Sequence, residues 1–348
     1  MKITKADFGT TKKGEKVTAY TVTNGKGASM TVLDFGAIMQ SIVVPDKKGE
    51  FVDVVLGYDN VPAYEDNPPH FGATIGRNGN RIGGASFMLN GKTYTLVKNE
   101  RDKNNLHSGP DGYEFRMWDA VPNEKNGSVS FTLTSPDGDQ GFPGTFRVTV
   151  TYMLTEMNKV KIHYEGKSDK DTMVNMTNHT YFNLNGEGSG KIMEHTVKIA
   201  ATGYTPVDEE SIPYGRTDKV EGTPFDFRNP KTIAQDAGAE DEQLAHTGGY
   251  DHNFALDGSG LRNVAWATGD KTGITMTVMT DQPGMQFYAG NFIFGPVGKK
   301  GHTYGAHDGF AMETQHFPDS VNQKAFATPL LKAGEVYSTT TCYTFSIL

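Results

Sequence analysis

The stretch Asn175-Met-Thr-Asn-His-Thr-Tyr-Phe-Asn-Leu184 predicts a β-strand with two chemically different faces. Side chains alternate across a strand, so every second residue shares a side. One side carries amides, a hydroxyl, an imidazole and a phenol: Asn175, Thr177, His179, Tyr181 and Asn183. The other side is mainly apolar: Val174, Met176, Phe182 and Leu184, with Asn178 and Thr180 among them. A polar, almost uncharged face suits a sugar, although a lone histidine is more often a hydrogen-bonded residue of a half-buried strand.

Similar short segments rich in Thr, Val, Tyr and Phe recur along the chain. They are typical of antiparallel strands, and their spacing of about eight to twelve residues is typical of a sandwich or barrel. Glycine is abundant, with 41 residues, and supplies the many turns that such a fold needs. The predicted strands include Val17–Val22, Asp53–Tyr58, Glu114–Val121, Ile274–Thr280 and Glu335–Ile347.

Two segments carry a more specific local signal. Phe87–Leu96 predicts a hairpin, because Asn90-Gly91 can adopt the positive φ angles of a type I′ turn. Thr232–Ala245 alone has a helical composition, and Gly238 weakens that prediction. No repeat, linker or shift in composition divides the chain. We therefore predict an all-β fold, one large antiparallel β-sandwich in which residues 1–348 form a single domain.

Charge and cysteine content exclude several classes of function. The formal net charge of −8, without a basic cluster, argues against binding to nucleic acid or to an anionic membrane. No run approaches the roughly 18 apolar residues of a membrane span, and the N-terminus lacks the apolar core of a signal peptide. Cys342 is the only cysteine, so no internal disulfide can form. We expect a cytoplasmic protein.

Polar motifs near glycines supply the candidates for chemistry. The segment Ala73–Ile82 contains two arginines, and a guanidinium can grip vicinal oxygens, although turn arginines also form surface ion pairs. His107 lies in an expected turn, where a solvent-exposed histidine is the more common case. Asp251 precedes a predicted strand and is by itself more often a turn former. Glu313 interrupts an apolar strand, where a carboxylate is costly unless paired, and we favour a functional role for it.

Several familiar motifs are absent. Glu165-Gly-Lys-Ser168 resembles the end of a P-loop, but Lys161 stands where its first glycine should be. The sequence contains no HExxH, CxxC or G-x-S-x-G motif, which removes the best-known signatures of zinc proteases and serine hydrolases.

Seven segments in order through the chain together resemble the aldose 1-epimerase family. The most specific of them is Thr-Asn-His-x-Tyr-Phe-Asn-Leu, at 177–184. The seven segments are Gly76–Ile82, Asn105–Gly109, Ser135–Gly144, Thr177–Leu184, Tyr250–Phe254, Pro283–Phe292 and Glu313–Ser320. The resemblance implies a single-domain β-supersandwich with a shallow sugar site on a concave sheet face.

The resemblance also implies a role for each matching residue. His179 would be the general acid and Glu313 the general base of an enzyme that interconverts the α and β anomers of hexoses such as galactose and glucose. His107 would donate a hydrogen bond to the ring oxygen or a neighbouring hydroxyl, and it counts with the catalytic group. The residues that would hold the sugar are Asn80, Arg81, His107, Tyr181, Asp251 and Gln286. We also hypothesise that the charge of Asp251 helps to keep His179 protonated.

This chemistry needs one acid and one base, so we expect neither a cofactor nor a metal. The intact Thr-Asn-His and Asn-Arg-Ile elements are similar to those of the free-sugar enzymes rather than the hexose-6-phosphate epimerases. We expect a small sugar as the only ligand, and a monomer or a homodimer.

Three alternatives stay open from the residues alone. A glycoside hydrolase would use Asp251 and Glu313 as its carboxylate pair. A carbohydrate-binding module would bind the sugar without catalysis. A metal site would combine His107 and His179 with the same two carboxylates.

Overall fold

Short strands make up most of the secondary structure in the computed structural model, which describes residues 1–348. The first ten strands are β1 (Lys2–Thr10), β2 (Lys16–Thr23), β3 (Ser29–Leu33), β4 (Met39–Pro45), β5 (Phe51–Asp53), β6 (Ala73–Ile75), β7 (Arg81–Ile82), β8 (Ser86–Leu89), β9 (Lys92–Thr95) and β10 (Asn105–Leu106). The next nine are β11 (Asp119–Asn123), β12 (Ser128–Ser135), β13 (Phe146–Leu154), β14 (Lys159–Ser168), β15 (Thr172–Met173), β16 (Thr177–His179), β17 (Tyr181–Phe182), β18 (Thr196–Ile199) and β19 (Ala201–Tyr204). The last nine are β20 (Asp218–Lys219), β21 (Lys231–Thr232), β22 (Asp251–Leu256), β23 (Arg262–Thr268), β24 (Ile274–Thr280), β25 (Gly284–Tyr288), β26 (Phe310–Gln315), β27 (Leu330–Leu331) and β28 (Val336–Ile347).

Three sheets organise these strands. The largest has nine strands in the order β11-β12-β13-β14-β28-β24-β23-β18-β21, and the second has six in the order β17-β26-β25-β22-β19-β20. The first five strands form a third sheet in chain order. Neighbouring strands pair in antiparallel fashion throughout these sheets. The predicted all-β antiparallel fold is therefore confirmed.

The main core contains 55 buried residues and takes side chains from both large sheets. Tyr152 and Tyr343 come from the nine-stranded sheet, and Phe287 and Met312 come from the six-stranded sheet. Burial of each such side chain stabilises the fold by about 1.5–3 kcal/mol. Since side chains alternate, the neighbours of Phe287 and Met312 along their strands point to the opposite face of the six-stranded sheet.

Helices are few and short, and their ends are set by local sequence. The three helices are α1 (Val61–Asp66), α2 (Ala234–Ala237) and α3 (Glu242–Thr247). Asp241 caps α3 at its start, and Gly248 ends it with a φ of 67°. The predicted helix Thr232–Ala245 is thus two short helices, because Gly238 ends α2 before Asp241 starts the next. None of the helices is long and apolar enough to cross a membrane.

Some predicted boundaries need correction. The Asn90-Gly91 hairpin is confirmed, with φ angles of 51° and 77°. The predicted strand Asp53–Tyr58 ends at Asp53, because that carboxylate accepts a hydrogen bond from the Val55 N–H and turns the chain. The predicted strand Glu114–Val121 begins as the 3₁₀ turn Tyr113–Phe115, and its strand runs from Asp119.

The segment Asn175–Leu184 is also more divided than its alternation predicts. Thr177–His179 pairs with β6, whereas Tyr181–Phe182 pairs with β26, and Thr180 lies between the two. Every residue from 175 to 184 is buried, so neither face of this segment is solvated. Phe182 packs in the main core and Tyr181 in a second core of 15 residues, which fixes the segment from both sides.

Candidate active site

A cleft of about 170 Å³ lies on the face of the six-stranded sheet that points away from the main core. Strand register sets its floor: Gln286 on β25 pairs directly with Glu313 on β26, and Asp251 on β22 pairs with Tyr288. All eight residues predicted from the sequence line this cleft: Asn80, Arg81, His107, His179, Tyr181, Asp251, Gln286 and Glu313.

His179 and Glu313 face each other inside the cleft. The His179 Nε2 and Glu313 Oε1 atoms are 3.5 Å apart, and the side chains are only 7% and 3% exposed. Burial lowers the pKa of His179 to about 3, and the nearby His70 adds to this effect. Burial also raises the pKa of Glu313 well above its ordinary value, with a further rise from the charge of Asp251. Both directions favour a neutral imidazole beside a protonated carboxyl group.

The hypothesis that the charge of Asp251 helps to keep His179 protonated is therefore wrong. His179 is kept neutral by burial and by His70, whereas the charge of Asp251 acts on Glu313 and raises its pKa. The sequence places Asp251 and His179 on separate strands and does not show whether Asp251 or Glu313 lies nearer to His179.

His107 is fixed in one tautomer by the backbone. Its Nδ1 atom accepts a hydrogen bond from the backbone N–H of Asn80 at 3.1 Å, and the backbone N–H of His107 donates to the Asn80 carbonyl at 3.1 Å. An accepting Nδ1 leaves the proton on Nε2 in the neutral ring, so His107 can donate a hydrogen bond from Nε2. Burial lowers the pKa of His107 well below its ordinary value, which keeps the ring neutral.

Arg81 is held from behind by Glu100. The Arg81 Nε and Nη2 groups donate to the Glu100 carboxylate at 2.7–3.0 Å, in a fork that fixes the guanidinium plane. Arg77, the other arginine of the same motif, points elsewhere: it is fully buried and donates to Pro143 O and Ser135 Oγ. Only the second arginine is therefore part of the cleft.

A chain of amide hydrogen bonds orients the floor of the cleft. Gln286 donates from Nε2 to Asp251 Oδ1 at 2.7 Å, and Gln315 donates from its own Nε2 to Gln286 Oε1 at 3.3 Å. This chain fixes which end of the Gln286 amide is the donor. Tyr181 completes the floor, with its ring stacked on His179 at a centroid distance of 5.0 Å.

The cleft also contains residues that sequence reasoning missed. They are Pro68, Pro69, His70, Leu106, Tyr288 and Phe292. Tyr288 could have been found, because it follows Gln286 by two residues on the same strand face. His70 sits in an irregular loop after Pro68-Pro69, where no periodic pattern signals a side chain's direction. A larger groove of about 510 Å³ adjoins the cleft and shares only His70 with it.

His107, His179 and Glu313 could in principle gather around a metal ion, since their ligand atoms lie within 4.8 Å of one another. A metal on His107 would bind Nε2, because Nδ1 already accepts the Asn80 N–H. Nε2 carries the ring proton in that arrangement, so ligation would require an imidazolate. The donor set therefore fits a hydrogen-bonding site better than a metal centre, and Asp251 is engaged by Gln286 instead.

A protein-family model described as aldose 1-epimerase matches residues 18–344, nearly the whole chain. The chain belongs to the aldose 1-epimerase family. It is 41% identical to the galactose mutarotase of Bos taurus over 318 residues, covering 91% of this chain and 90% of that protein. It is 39% identical to the aldose 1-epimerase of Escherichia coli K12 over 338 residues, covering 95% and 96%. As an aldose 1-epimerase, the protein is an isomerase.

Solved structures agree with this aldose 1-epimerase assignment. The GalM/aldose epimerase homologue from C. elegans superposes with a TM-score of 0.87 at 31% identity, over 94% of this chain and 98% of that one. The galactose 1-epimerase from Lactobacillus acidophilus NCFM gives the same TM-score at 26% identity, over 100% and 99%. The family resemblance predicted from seven sequence segments is confirmed.

Proposed function

We propose that this aldose 1-epimerase interconverts the α and β anomers of free galactose and glucose, with Glu313 as general base and His179 as general acid. One observation carries the assignment of roles: a buried imidazole and a buried carboxyl group lie 3.5 Å apart at the centre of the cleft. Ring opening needs one group to remove a proton and another to supply one, and this pair provides both.

The reaction moves two protons and leaves the number of atoms unchanged. Glu313 takes the proton of the anomeric hydroxyl, the O1 electron pair forms the carbonyl, and the C1–O5 bond breaks. His179 gives its proton to O5, so the open aldehyde is released from the ring. Rotation about C1–C2 presents the other face, and the same steps in reverse close the ring. Each of the two groups supplies an acceleration of about 10²–10⁴-fold.

The electrostatics of the cleft support this direction of proton flow. Before ring opening, Glu313 must be ionised and His179 must hold a proton; afterwards both groups are neutral. Burial favours the neutral pair. Ring opening therefore removes two buried charges, and ring closure restores them, because Glu313 returns its proton to O1 and His179 takes the proton back from O5.

The other predicted residues surround the pair as hydrogen-bonding groups for sugar hydroxyls. His107 offers an N–H donor, Arg81 a fixed guanidinium and Asp251 an acceptor. Asn80, Tyr181 and Gln286 line the same space. We propose that Arg81 and Asp251 set the preference for an axial or equatorial hydroxyl at C4.

A free sugar fits the charges of the cleft better than a sugar phosphate. Arg81 is the one arginine or lysine among the lining residues, and its guanidinium is already paired with Glu100. The charge of Asp251 would repel a phosphate group. These charges support the free hexose as substrate.

We also propose that residues 1–348 form one domain that acts as a cytoplasmic monomer or homodimer. Support for the single domain comes from the core, whose 55 residues run from Tyr20 to Phe345. Light scattering of the purified protein would give the oligomeric state.

Polarimetry of freshly dissolved α-D-galactose and α-D-glucose tests the proposal. The wild-type protein should accelerate the approach to anomeric equilibrium, and His179→Asn and Glu313→Gln should each lose most of that acceleration. Glu313→Gln is isosteric and His179→Asn keeps a polar amide near the position of Nδ1, so circular dichroism should show an intact fold. A nitrophenyl galactoside assay runs in parallel: release of nitrophenol would favour the hydrolase alternative. Binding of galactose at the spontaneous mutarotation rate would favour a binding module.

A further inference from the structure

His70 is a cleft residue that the roles above leave unused. Its Nδ1 and the Glu114 Oε1 atom are 2.7 Å apart. Glu114 is 2% exposed, and its second oxygen forms no hydrogen bond. A buried carboxylate is costly without a partner, so His70 is the group that makes this charge tolerable.

The geometry of the pair fixes which nitrogen faces the cleft. A carboxylate only accepts hydrogen bonds, so the His70 nitrogen beside Glu114 carries a proton. The remaining nitrogen, Nε2, forms no hydrogen bond within the chain. The His70 ring lies 4.9 Å from the His107 ring and 5.6 Å from the His179 ring, measured between centroids. Nε2 is thus an unused polar atom beside the two histidines that would contact the sugar.

The backbone holds this loop in place. His70 has a φ of 60°, in the left-handed region that few side chains favour. Its N–H donates to the Asn67 carbonyl at 2.8 Å, and the Asn67 side chain accepts from the Phe71 N–H. A conformation of this kind persists where the surroundings determine it, and it often marks a functional position.

We propose that His70, anchored by Glu114, is a further substrate-binding residue that donates a hydrogen bond from Nε2 to one hydroxyl of the hexose. The inference rests on the proposed function of the same cleft and adds a specificity-determining contact to it. Burial lowers the pKa of His70, but the charge and hydrogen bond of Glu114 raise it, and the net direction is upwards. The Glu114 carboxylate, 2.7 Å from Nδ1, stabilises the imidazolium form of His70, in which Nε2 also carries a proton to donate.

His70→Asn is the decisive variant, because it separates the two ends of the ring. The asparagine amide can occupy the place of Nδ1 and donate to Glu114, and asparagine tolerates the left-handed backbone. Nothing replaces Nε2 in the cleft. Glu114→Gln is a matched second variant that keeps an acceptor for His70 but removes the charge that favours imidazolium.

The assay measures KM and kcat by polarimetry for galactose and for its 2-, 3-, 4- and 6-deoxy forms. We expect His70→Asn to raise KM for galactose about 10-fold, with kcat changed by less than about 3-fold, as for loss of one charge-assisted hydrogen bond. One deoxy sugar, lacking the contacted hydroxyl, should show the same KM in both proteins. Glu114→Gln should raise KM by a smaller factor.

Two results would overturn the proposal. The first is an unchanged KM for every sugar in His70→Asn. The second is an equal loss for all the sugars together with a fall in kcat, which would indicate that His70 only supports the loop. Failure of the proposed function would look different, since the wild-type protein would then show no acceleration, or His179→Asn would keep it.

Discussion

Glu100 lies outside the cleft, yet we predict that it controls how well the cleft binds sugar. Three hydrogen bonds of 2.7–3.0 Å join its carboxylate to Arg81, and the two side chains are 16% and 15% exposed. Loss of one partner from such a largely buried ion pair costs about 3 kcal/mol of folding stability. Without its anchor, Arg81 should also hold a sugar hydroxyl less well, which raises KM by about 10-fold or more.

Glu100→Gln tests this prediction, and Glu210→Gln is its control. Glu210 pairs with Lys103, three residues further along the chain from Glu100, but the lysine is 61% exposed. A surface pair of this kind contributes about 0–1 kcal/mol, so its loss should leave both stability and KM almost unchanged. Urea unfolding gives the stability and polarimetry gives KM. Equal KM values for Glu100→Gln and the wild-type protein would refute the view that Glu100 positions Arg81.

Substitution of three other ionisable side chains, Asp251, Arg77 and His252, should have measurable effects. Asp251→Asn should lower the pKa of Glu313, since the charge of Asp251 raises it, and the limb of the pH–rate profile set by Glu313 should move to lower pH. Arg77→Met should lower the free energy of unfolding in urea by about 3–5 kcal/mol, because the buried carbonyl of Pro143 and hydroxyl of Ser135 lose their guanidinium donor. Burial lowers the pKa of His252 to about 3, so stability should be complete above its unfolded pKa of about 6.5 and fall as pH drops towards 3. His252→Gln should flatten that slope.

Local chemistry explains which parts of the fold were predictable. The Asn90-Gly91 hairpin depends on two adjacent residues that tolerate positive φ, so this dipeptide is enough to predict it. The break between α2 and α3 depends on Gly238 followed by an Asp241 cap, and both signals are also local. The end of β5 at Asp53 depends instead on the hydrogen bond that this carboxylate accepts from the Val55 N–H, which turns the chain and which alternation cannot reveal.

The candidate active site likewise has features that the sequence predicts and features that it does not. His179 and Glu313 were identifiable from the sequence. Glu313 interrupts an apolar strand, His179 lies on the polar face of a strand whose other face is apolar, and each belongs to a recognisable motif. Their separation of 3.5 Å, and the neutral state that burial favours, depend on the pairing of strands distant in sequence. His70 was missed because its contribution comes from Glu114, 44 residues away, and from a loop without periodicity.

The roles of Glu313 as base and His179 as acid are tested most directly by comparing single and double variants. Magnetisation exchange between the α and β anomers of galactose measures the rate at equilibrium. We predict that His179→Asn and Glu313→Gln each lower kcat by about 10²–10⁴-fold. Because the two groups act on the same step, the double variant should be no more than about tenfold slower than the worse single variant. Rates close to wild type in both single variants would contradict the assignment of Glu313 and His179 as the base and the acid.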